Sequence, residues 1–392
     1  MNLYIHIPFC RRKCSYCALY SRVGSSADAR RQYIESIRAA LGSLRAEQRT
    51  TIYFGGGSPA LCDLAPLRDA LRALLDPISS EFTVELHPLD VTPAKLDELK
   101  SIGVNRISMG VQSLDDATLR AMGRGYTADD AARAFELVKS RFDNAGIDLI
   151  LGYPGDPTTM NAEALLAPLA NWGLRHCSVY SLQNERGLKN VPDDDTVLDG
   201  IRVASRFLQS IGLSRYEISN YAVPGYECRH NLAVWRGEDY IGLGDGAYGR
   251  IGLVRTRNWW GQSPNWWGLS PIFSTKRRDA ASPSQHPPKT GGLSPAFGQK
   301  TGGLSPSNSP KIGGLSPAFE TVSEENDEKE RTIFRLRTIE GLDATKHPEW
   351  IPALERFVGD GLLRRKNDTD HPVYALTERG TEVCDAILEE II

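Results

Sequence analysis

Six short apolar, β-rich runs alternate with amphipathic helical stretches over the first half of this chain, and that alternation leaves few possible folds. The runs are Leu3–Ile7, Thr51–Phe54, Phe82–Leu86, Arg106–Val111, Ile147–Gly152 and Cys177–Leu182. Between the first two, Ser26–Arg45 sets Tyr33, Ile34, Ile37, Leu41 and Leu44 on one helical stripe. Leu67, Leu71, Leu74 and Leu75 form another before the third run. Thr92-Pro93 opens a helix with proline in its first turn, and Gly103 closes it. Thr127-Ala-Asp-Asp opens the next, its acids matching the helix dipole. Strands apolar enough to be buried on both faces predict an α/β fold, with parallel strands covered by helices. Periodicity does not separate an open doubly wound sheet from a barrel. Candidate polar residues at the C-terminal ends of several strands favour the barrel.

The first strand candidate runs into Cys10-Arg-Arg-Lys-Cys14-Ser-Tyr-Cys17, three thiols spaced C-x3-C-x2-C. An odd number of cysteines in one loop cannot all pair with each other. Three thiolates can ligate three irons of a [4Fe–4S] cluster, leaving one iron open to a small molecule. A zinc site is the rival, with His6 as a candidate fourth ligand, although such sites close with four protein ligands, usually in C-x2-C pairs. Plain buried thiols, and a core role for His6, are the bland readings.

The second run ends in Gly55-Gly56-Gly57-Ser58-Pro59. Consecutive glycines let the backbone approach a ligand closely, whereas a tight βα turn needs only one or two. No G-x-G-x-x-G or G-x4-G-K-[ST] pattern accompanies them, so phosphate binding is unsupported. Glu85 closes the third run, where a carboxylate can accept from a ribose diol or an ammonium, or simply form a salt bridge. Asp148, inside the fifth run, needs a partner if buried.

These motifs resemble the radical S-adenosylmethionine (radical SAM) superfamily. More narrowly, YIHIPFC and the text after it resemble the oxygen-independent coproporphyrinogen III oxidase-like family, which includes heme chaperones. The resemblance runs to about residue 250 and resumes near residue 330. It implies a partial (β/α)6 barrel with Cys10, Cys14 and Cys17 on the cluster. Gly56, Gly57 and Ser58 lie in a run similar to GGGTP, which contacts the SAM amine. Glu85 stands in E-x-His87-Pro where the family has E-x-N-P. Asn105-Arg106-Ile-Ser-Met-Gly110-Val-Gln112-Ser113 and Leu119-Arg-Ala-Met-Gly123-Arg124 follow the NRISxGVQS…LGR signature. It implies SAM contacts at Gln112 and Arg124, with Tyr126 where the family usually has histidine. Asp148 matches the acid that binds the ribose, and Tyr4 and Tyr16 match aromatics beside SAM. Reductive cleavage of SAM would then give a 5′-deoxyadenosyl radical.

Cys228-Arg-His230-Asn231-Leu-Ala-Val-Trp235 is similar to a heme-linked HNxxYW motif, with Val234 in place of Tyr. From the residues alone, His230 is a heme contact or a structural histidine among aromatics.

Residues 256–322 read as a Gly/Ser/Pro-rich insert, disordered by composition, in which Gly-Gly-Leu-Ser-Pro recurs from Gly291, Gly302 and Gly313. Trp259, Trp260, Trp266 and Trp267 are its apolar exception. The expected domains are therefore a barrel over 1–255, the insert over 256–322, and a C-terminal domain over 323–392. The last combines a helix from Glu330–Leu336, an amphipathic Trp350–Gly361, a hairpin of Leu362–Lys366 with Val373–Leu376, and a final helix over Thr377–Ile391. Its outline is a small α+β, winged-helix-like domain.

A net charge of −3 and a pI of about 6.2 give no electrostatic footprint for nucleic acid. No apolar run approaches the ~20 residues of a membrane span. No basic-then-apolar leader precedes the first strand. Seven cysteines, three of them clustered, suit a reducing cytoplasm. Two functions of different class compete. One is a heme-binding chaperone that hands heme to apo-respiratory hemoproteins. It is favoured by Leu19, where the oxidases carry a fourth cysteine, by a start at the first strand, and by the His230 segment. The other is a radical enzyme on a tetrapyrrole, the oxidative decarboxylation of coproporphyrinogen III, which would use the radical chemistry. An unrelated substrate is the third reading.

Overall fold

The computed structural model describes residues 1–44, 50–76, 78–257, 318–367, 369 and 371–391. Six strands appear where the sequence places them: β1 (Asn2–Ile7), β2 (Thr51–Gly56), β3 (Glu81–Leu86), β4 (Arg106–Gln112), β5 (Asn144–Leu151) and β6 (His176–Ser181). They lie side by side in chain order, every neighbour parallel. An open doubly wound sheet would reverse its strand order at a switch point. Unbroken sequential order is the barrel arrangement, so the question left by periodicity is settled. A further strand, β7 (Tyr240–Leu243), pairs parallel with the outer side of β1.

The helices between strands start and stop for local reasons. Ser26 caps Ala27–Gly42 by accepting from the Ala29 N–H. Thr92 caps Pro93–Ser101, and Gly103 follows at a φ of +101° that a side chain would oppose. Thr127 and Asp130 form a reciprocal capping box at the start of Ala128–Lys139.

One expectation needs correction: the strands are not apolar on both faces. In β1, Leu3, Ile5 and Ile7 point into the core shared with the helices, and Asn2, Tyr4 and His6 point the other way. The same alternation separates Ile52 and Phe54 from Thr51 and Tyr53, and Ile107 and Met109 from Arg106 and Ser108. The outer face thus carries the hydrophobic core, at about 1.5–3 kcal/mol per fully buried large side chain. The inner face is polar and cross-linked. Thr51 donates to Asn2 Oδ1 at 3.0 Å, and His176 Nε2 meets the Tyr216 hydroxyl at 2.7 Å. Helix Arg229–Trp235 closes the end where the strands begin. The backbone N–H groups of Arg229 and His230 donate to the Glu81 carboxylate at 2.9 and 3.1 Å, an anion at a helix N-terminus.

The C-terminal part has its own core of Leu336, Leu354, Phe357, Tyr374, Ile387 and Leu388. Its hairpin pairs Leu363–Arg365 with Val373–Leu376, and Leu342–Asp343 adds a third antiparallel strand. The first helix is longer than read from sequence, Glu324–Leu336, capped by Ser323. The last is broken at Val383 into Glu378–Glu382 and Cys384–Ile391. At the edges of the stretch expected as an insert, 256–322, Val254–Arg257 pairs antiparallel with Ala318–Thr321 and extends the main sheet beyond β7. Four residues of mixed polarity on each side give too short a pattern to read. The tryptophans and pentapeptide repeats lie outside the described residues. No helix among the described residues is long and apolar enough to cross a membrane.

Candidate functional site

The polar face of the sheet meets the cysteine loop at the C-terminal ends of β1 to β6. Phe9–Cys10 and Arg22–Val23 pair as a short parallel ribbon at the base of the loop. Inside it, Cys17 N–H donates to Cys14 O at 3.2 Å, and Ser15 is fixed by Met122 O at 3.2 Å and the Tyr153 hydroxyl at 2.9 Å. Lys13 Nζ reaches Ser21 Oγ at 2.8 Å. Cys10, Cys14 and Cys17 are half-buried and form no disulfide. Burial, then Cys17 and Cys14, push the Cys10 thiol up to about 11. Cys10, raised by burial and its two neighbours, is stabilised as a thiolate by a cation at the loop, which fits a metal cluster.

Zinc fits less well. His6, the candidate fourth ligand, is fully buried, with Nδ1 at 3.1 Å from the Tyr4 hydroxyl and Nε2 at 3.0 Å from Tyr20 O. Among the described residues no three His, Cys, Asp or Glu side chains converge as a single-ion site. The core reading of His6 is the one the structure shows.

The glycine run clamps the entrance of this loop. Gly57 N–H donates to Ile7 O at 2.8 Å and Ser58 N–H to Phe9 O at 2.7 Å, while Gly56 N–H donates to Glu85 Oε2 at 3.1 Å. The N–H groups of Gly56, Gly57 and Ser58 are therefore taken within the fold. Carbonyl oxygens are what the run can still offer, and these suit an ammonium. A Cβ on Gly56 would lie 2.4 Å from the His6 ring, and one on Gly57 would lie 2.5 Å from Phe9 O. Ser58 Oγ donates to Asp90, whose other oxygen takes Arg11 Nε at 2.5 Å. Because the Phe9 carbonyl belongs to the loop's base, Gly57→Ala is expected to displace the cysteines. It should lower stability by about 1–3 kcal/mol and cut iron uptake, read by thermal melting and iron assay of the same sample.

Glu85 and Asp148 face one another from β3 and β5. Glu85 accepts from the Tyr53 hydroxyl at 2.9 Å, and burial, then Asp148, push its carboxyl up to about 7. Asp148 accepts from Ser178 Oγ at 2.6 Å and Ser108 Oγ at 3.1 Å; burial raises it and these bonds oppose the rise. Both are half-buried and neither has an ion pair among the described residues, so the pair can take a cationic or hydroxyl-rich partner. At the end of β4 the register slips between Gly110 and Gln112, and Gln112 has a φ of +72°. Such strain concentrates at ligand sites. The Gln112 amide makes no hydrogen bond among the described residues.

Arg124 donates to Gly110 O at 2.6 Å, to the Tyr126 hydroxyl at 2.9 Å, and to Cys14 Sγ at 3.5 Å. Tyr16 is within electrostatic reach of Arg124, Cys14 and Cys17. Tyr4 lies one layer deeper, stacked on Tyr53 at 6.1 Å. The structure thus brings together the cysteines, the glycine run, Glu85, Gln112, Arg124, Asp148 and Tyr16. Reasoning from sequence missed Tyr53, Ser108, Ser178 and Asp90. The signal for Tyr53 and Ser108 was their even spacing from Gly55 and Gly110 along strands.

His230 lies elsewhere. It is 5% exposed at the opposite end of the sheet, with Nδ1 at 2.7 Å from Thr51 Oγ1 and its ring 5.1 Å from Tyr53. Burial, then Arg106, push its imidazole down to about 3. Cys228 turns toward Glu81, and Trp235 packs edge-on against Phe334. The three residues the sequence grouped face three different partners.

Residues 4–163, which hold every cleft residue named above except Ser178, match the radical SAM superfamily. The chain is 35% identical over 274 residues to the heme chaperone HemW of Lactococcus lactis, covering 66% of this chain and 71% of that protein. It is 34% identical over 267 residues to HemW of Escherichia coli, covering 64% and 70%. Among solved structures, the coproporphyrinogen III oxidase HemN of Escherichia coli, a radical SAM enzyme, covers 99% of this chain and 89% of its own. The TM-score there is 0.71 at 20% identity, a likeness of fold. The chain belongs to the family of the heme chaperone HemW, and its residues 4–163 match the radical SAM superfamily.

Proposed function

We propose that this chain is a cytoplasmic heme chaperone of the HemW type, which binds heme and passes it to apo-respiratory hemoproteins. One observation carries the reading: a loop of three free cysteines lies beside two carboxylates without ion pairs, in a chain about a third identical to heme chaperones. Cys10, Cys14 and Cys17 would hold a [4Fe–4S] cluster. Such a cluster supplies an electron and an open iron to which SAM binds. Gly56, Gly57 and Ser58 would place carbonyl oxygens near the SAM amine. Glu85 and Asp148 would accept from its amine and ribose hydroxyls, Gln112 would contact either end, and Arg124 would hold the carboxylate. Tyr16 would wall the site and exclude water, with Tyr4 supporting it from beneath through Tyr53.

Leu19 supports the chaperone over the oxidase, since its backbone carbonyl takes Lys13 Nζ at 2.5 Å and it offers no fourth thiol. We propose His230 as a heme contact that becomes reachable when helix Arg229–Trp235 moves off the sheet. The test is a heme titration of the full chain, followed at the Soret band. Saturation near one heme per chain is expected, with a shifted or lost band in His230→Ala samples that remain folded. No Soret band in the unaltered chain sinks the chaperone reading. An unchanged band in His230→Ala removes only that residue's role.

A further inference from the structure

Tyr126 is 5% exposed and its hydroxyl sits in a dense set of hydrogen bonds beside the cleft. Its hydroxyl lies 2.8 Å from Val111 O and 3.0 Å from Gly110 O, and it accepts from Arg124 Nε at 2.9 Å. The two carbonyls flank the bulge that gives Gln112 its positive φ. A guanidinium is a rigid planar fork, so fixing two of its N–H groups fixes the direction of the others. Arg124 is held this way, Nε on Tyr126 and Nη2 on Gly110 O, and Nη1 is thereby aimed at Cys14 Sγ. Tyr126 is itself braced by His87, whose ring stands 5.1 Å away at 82°. His87 Nδ1 accepts from Leu89 N–H at 3.2 Å, so the ring is anchored on the turn after β3. His87 and Tyr126 are two of the positions where the chain departs from the motif it otherwise follows, and they touch each other.

We infer that His87 and Tyr126 form one coupled unit of positioning residues that sets the direction of Arg124 and the bulge at Gln112, and so shapes the site beside Cys14. This rests on the reading of Cys14 as a cluster ligand and of Arg124 and Gln112 as SAM contacts. Exchanging both residues for the motif pair is expected to preserve the unit. An imidazole at 126 offers an acceptor to Arg124 Nε and an N–H to a strand carbonyl, and an asparagine at 87 keeps an acceptor for Leu89 N–H.

The test compares Tyr126→Phe, Tyr126→His, His87→Asn and the His87→Asn/Tyr126→His double variant. Each is an anaerobically reconstituted full chain, read by SAM dissociation constant and by the electron paramagnetic resonance of the reduced cluster, with the melting temperature of the apoprotein as control. Tyr126→Phe is expected to weaken SAM binding about tenfold, the loss of a charge-assisted hydrogen bond, and to alter the SAM-induced spectral change at unchanged iron content. The double variant should return to within about threefold of the parent while each single exchange does not. Unchanged SAM affinity and spectrum in Tyr126→Phe overturn the inference. So do additive effects in the double variant, or losses that only follow a lowered apoprotein melting temperature. A parent chain that binds no cluster or no SAM overturns the site reading, and this inference with it.

Discussion

Cys14→Ser is expected to reduce bound iron from about four atoms per chain to fewer than about one after anaerobic reconstitution. Cys14 is the thiol that Arg124 approaches, and it lies in a loop whose shape does not depend on sulfur. That loop is held by Ser15 against Met122 and Tyr153, and by the ribbon of Phe9–Cys10 with Arg22–Val23. The substitution should therefore leave the apoprotein within about 0.5 kcal/mol of its parent, as at ordinary sites away from the core. Loss of iron with an unchanged melting temperature assigns the thiol to the cluster. Full iron content in the variant contradicts the assignment, and loss of iron together with unfolding would place Cys14 in the scaffold instead.

The second large effect is a pH dependence of SAM binding centred on Glu85. Burial, then the neighbouring Asp148, raise this carboxyl from its usual range to about 7. A raised acid binds its proton more tightly in the folded chain than in the unfolded one. Between about pH 4.5 and 7 the folded state thus holds the extra proton, and the stability this group provides falls as pH rises through that window. A cationic amine or a ribose diol seated against Glu85 favours the carboxylate and reverses the penalty. SAM affinity should therefore weaken about tenfold from pH 8 to pH 6, as most of Glu85 takes up its proton. Binding near pH 6.5 should release a proton, visible as a buffer-dependent heat. Glu85→Gln should bind weakly at both values, with little slope between them. A wild-type affinity that stays level from pH 6 to pH 8 would contradict the role of Glu85.

Much of this was legible in the sequence because strand ends and chemistry coincide. The cysteine spacing and Glu85 sit where a strand ends, and Arg124 follows a glycine-capped helix, so Gly, Pro and helix caps mark their places. The inner polar face was also written in the chain, in Thr51-Ile-Tyr-Phe and Arg106-Ile-Ser-Met, as strict alternation. It was read as continuous apolar sequence because tyrosine, threonine and serine fit strands of either kind. Tyr53, Ser108 and Ser178 were missed for that reason, since their function depends on which residue lies opposite on the next strand. The placement of His230 was not legible at all. Its neighbours Thr51 and Tyr53 are nearly 180 residues away in the chain, and only the folded chain brings them to its ring. The strands Val254–Arg257 and Ala318–Thr321 were hidden similarly, because their pairing crosses the repeat stretch.

The central claim is that this radical SAM chain handles heme and does not oxidise a porphyrinogen. One anaerobic experiment separates the two. The reconstituted chain is reduced with SAM present and divided, one half receiving coproporphyrinogen III and the other receiving heme followed by an apo-hemoprotein. The account predicts no protoporphyrinogen in the first half, and in the second a Soret band that passes from this chain to the acceptor. Protoporphyrinogen formed together with 5′-deoxyadenosine, in a chain that retains no heme, would contradict it.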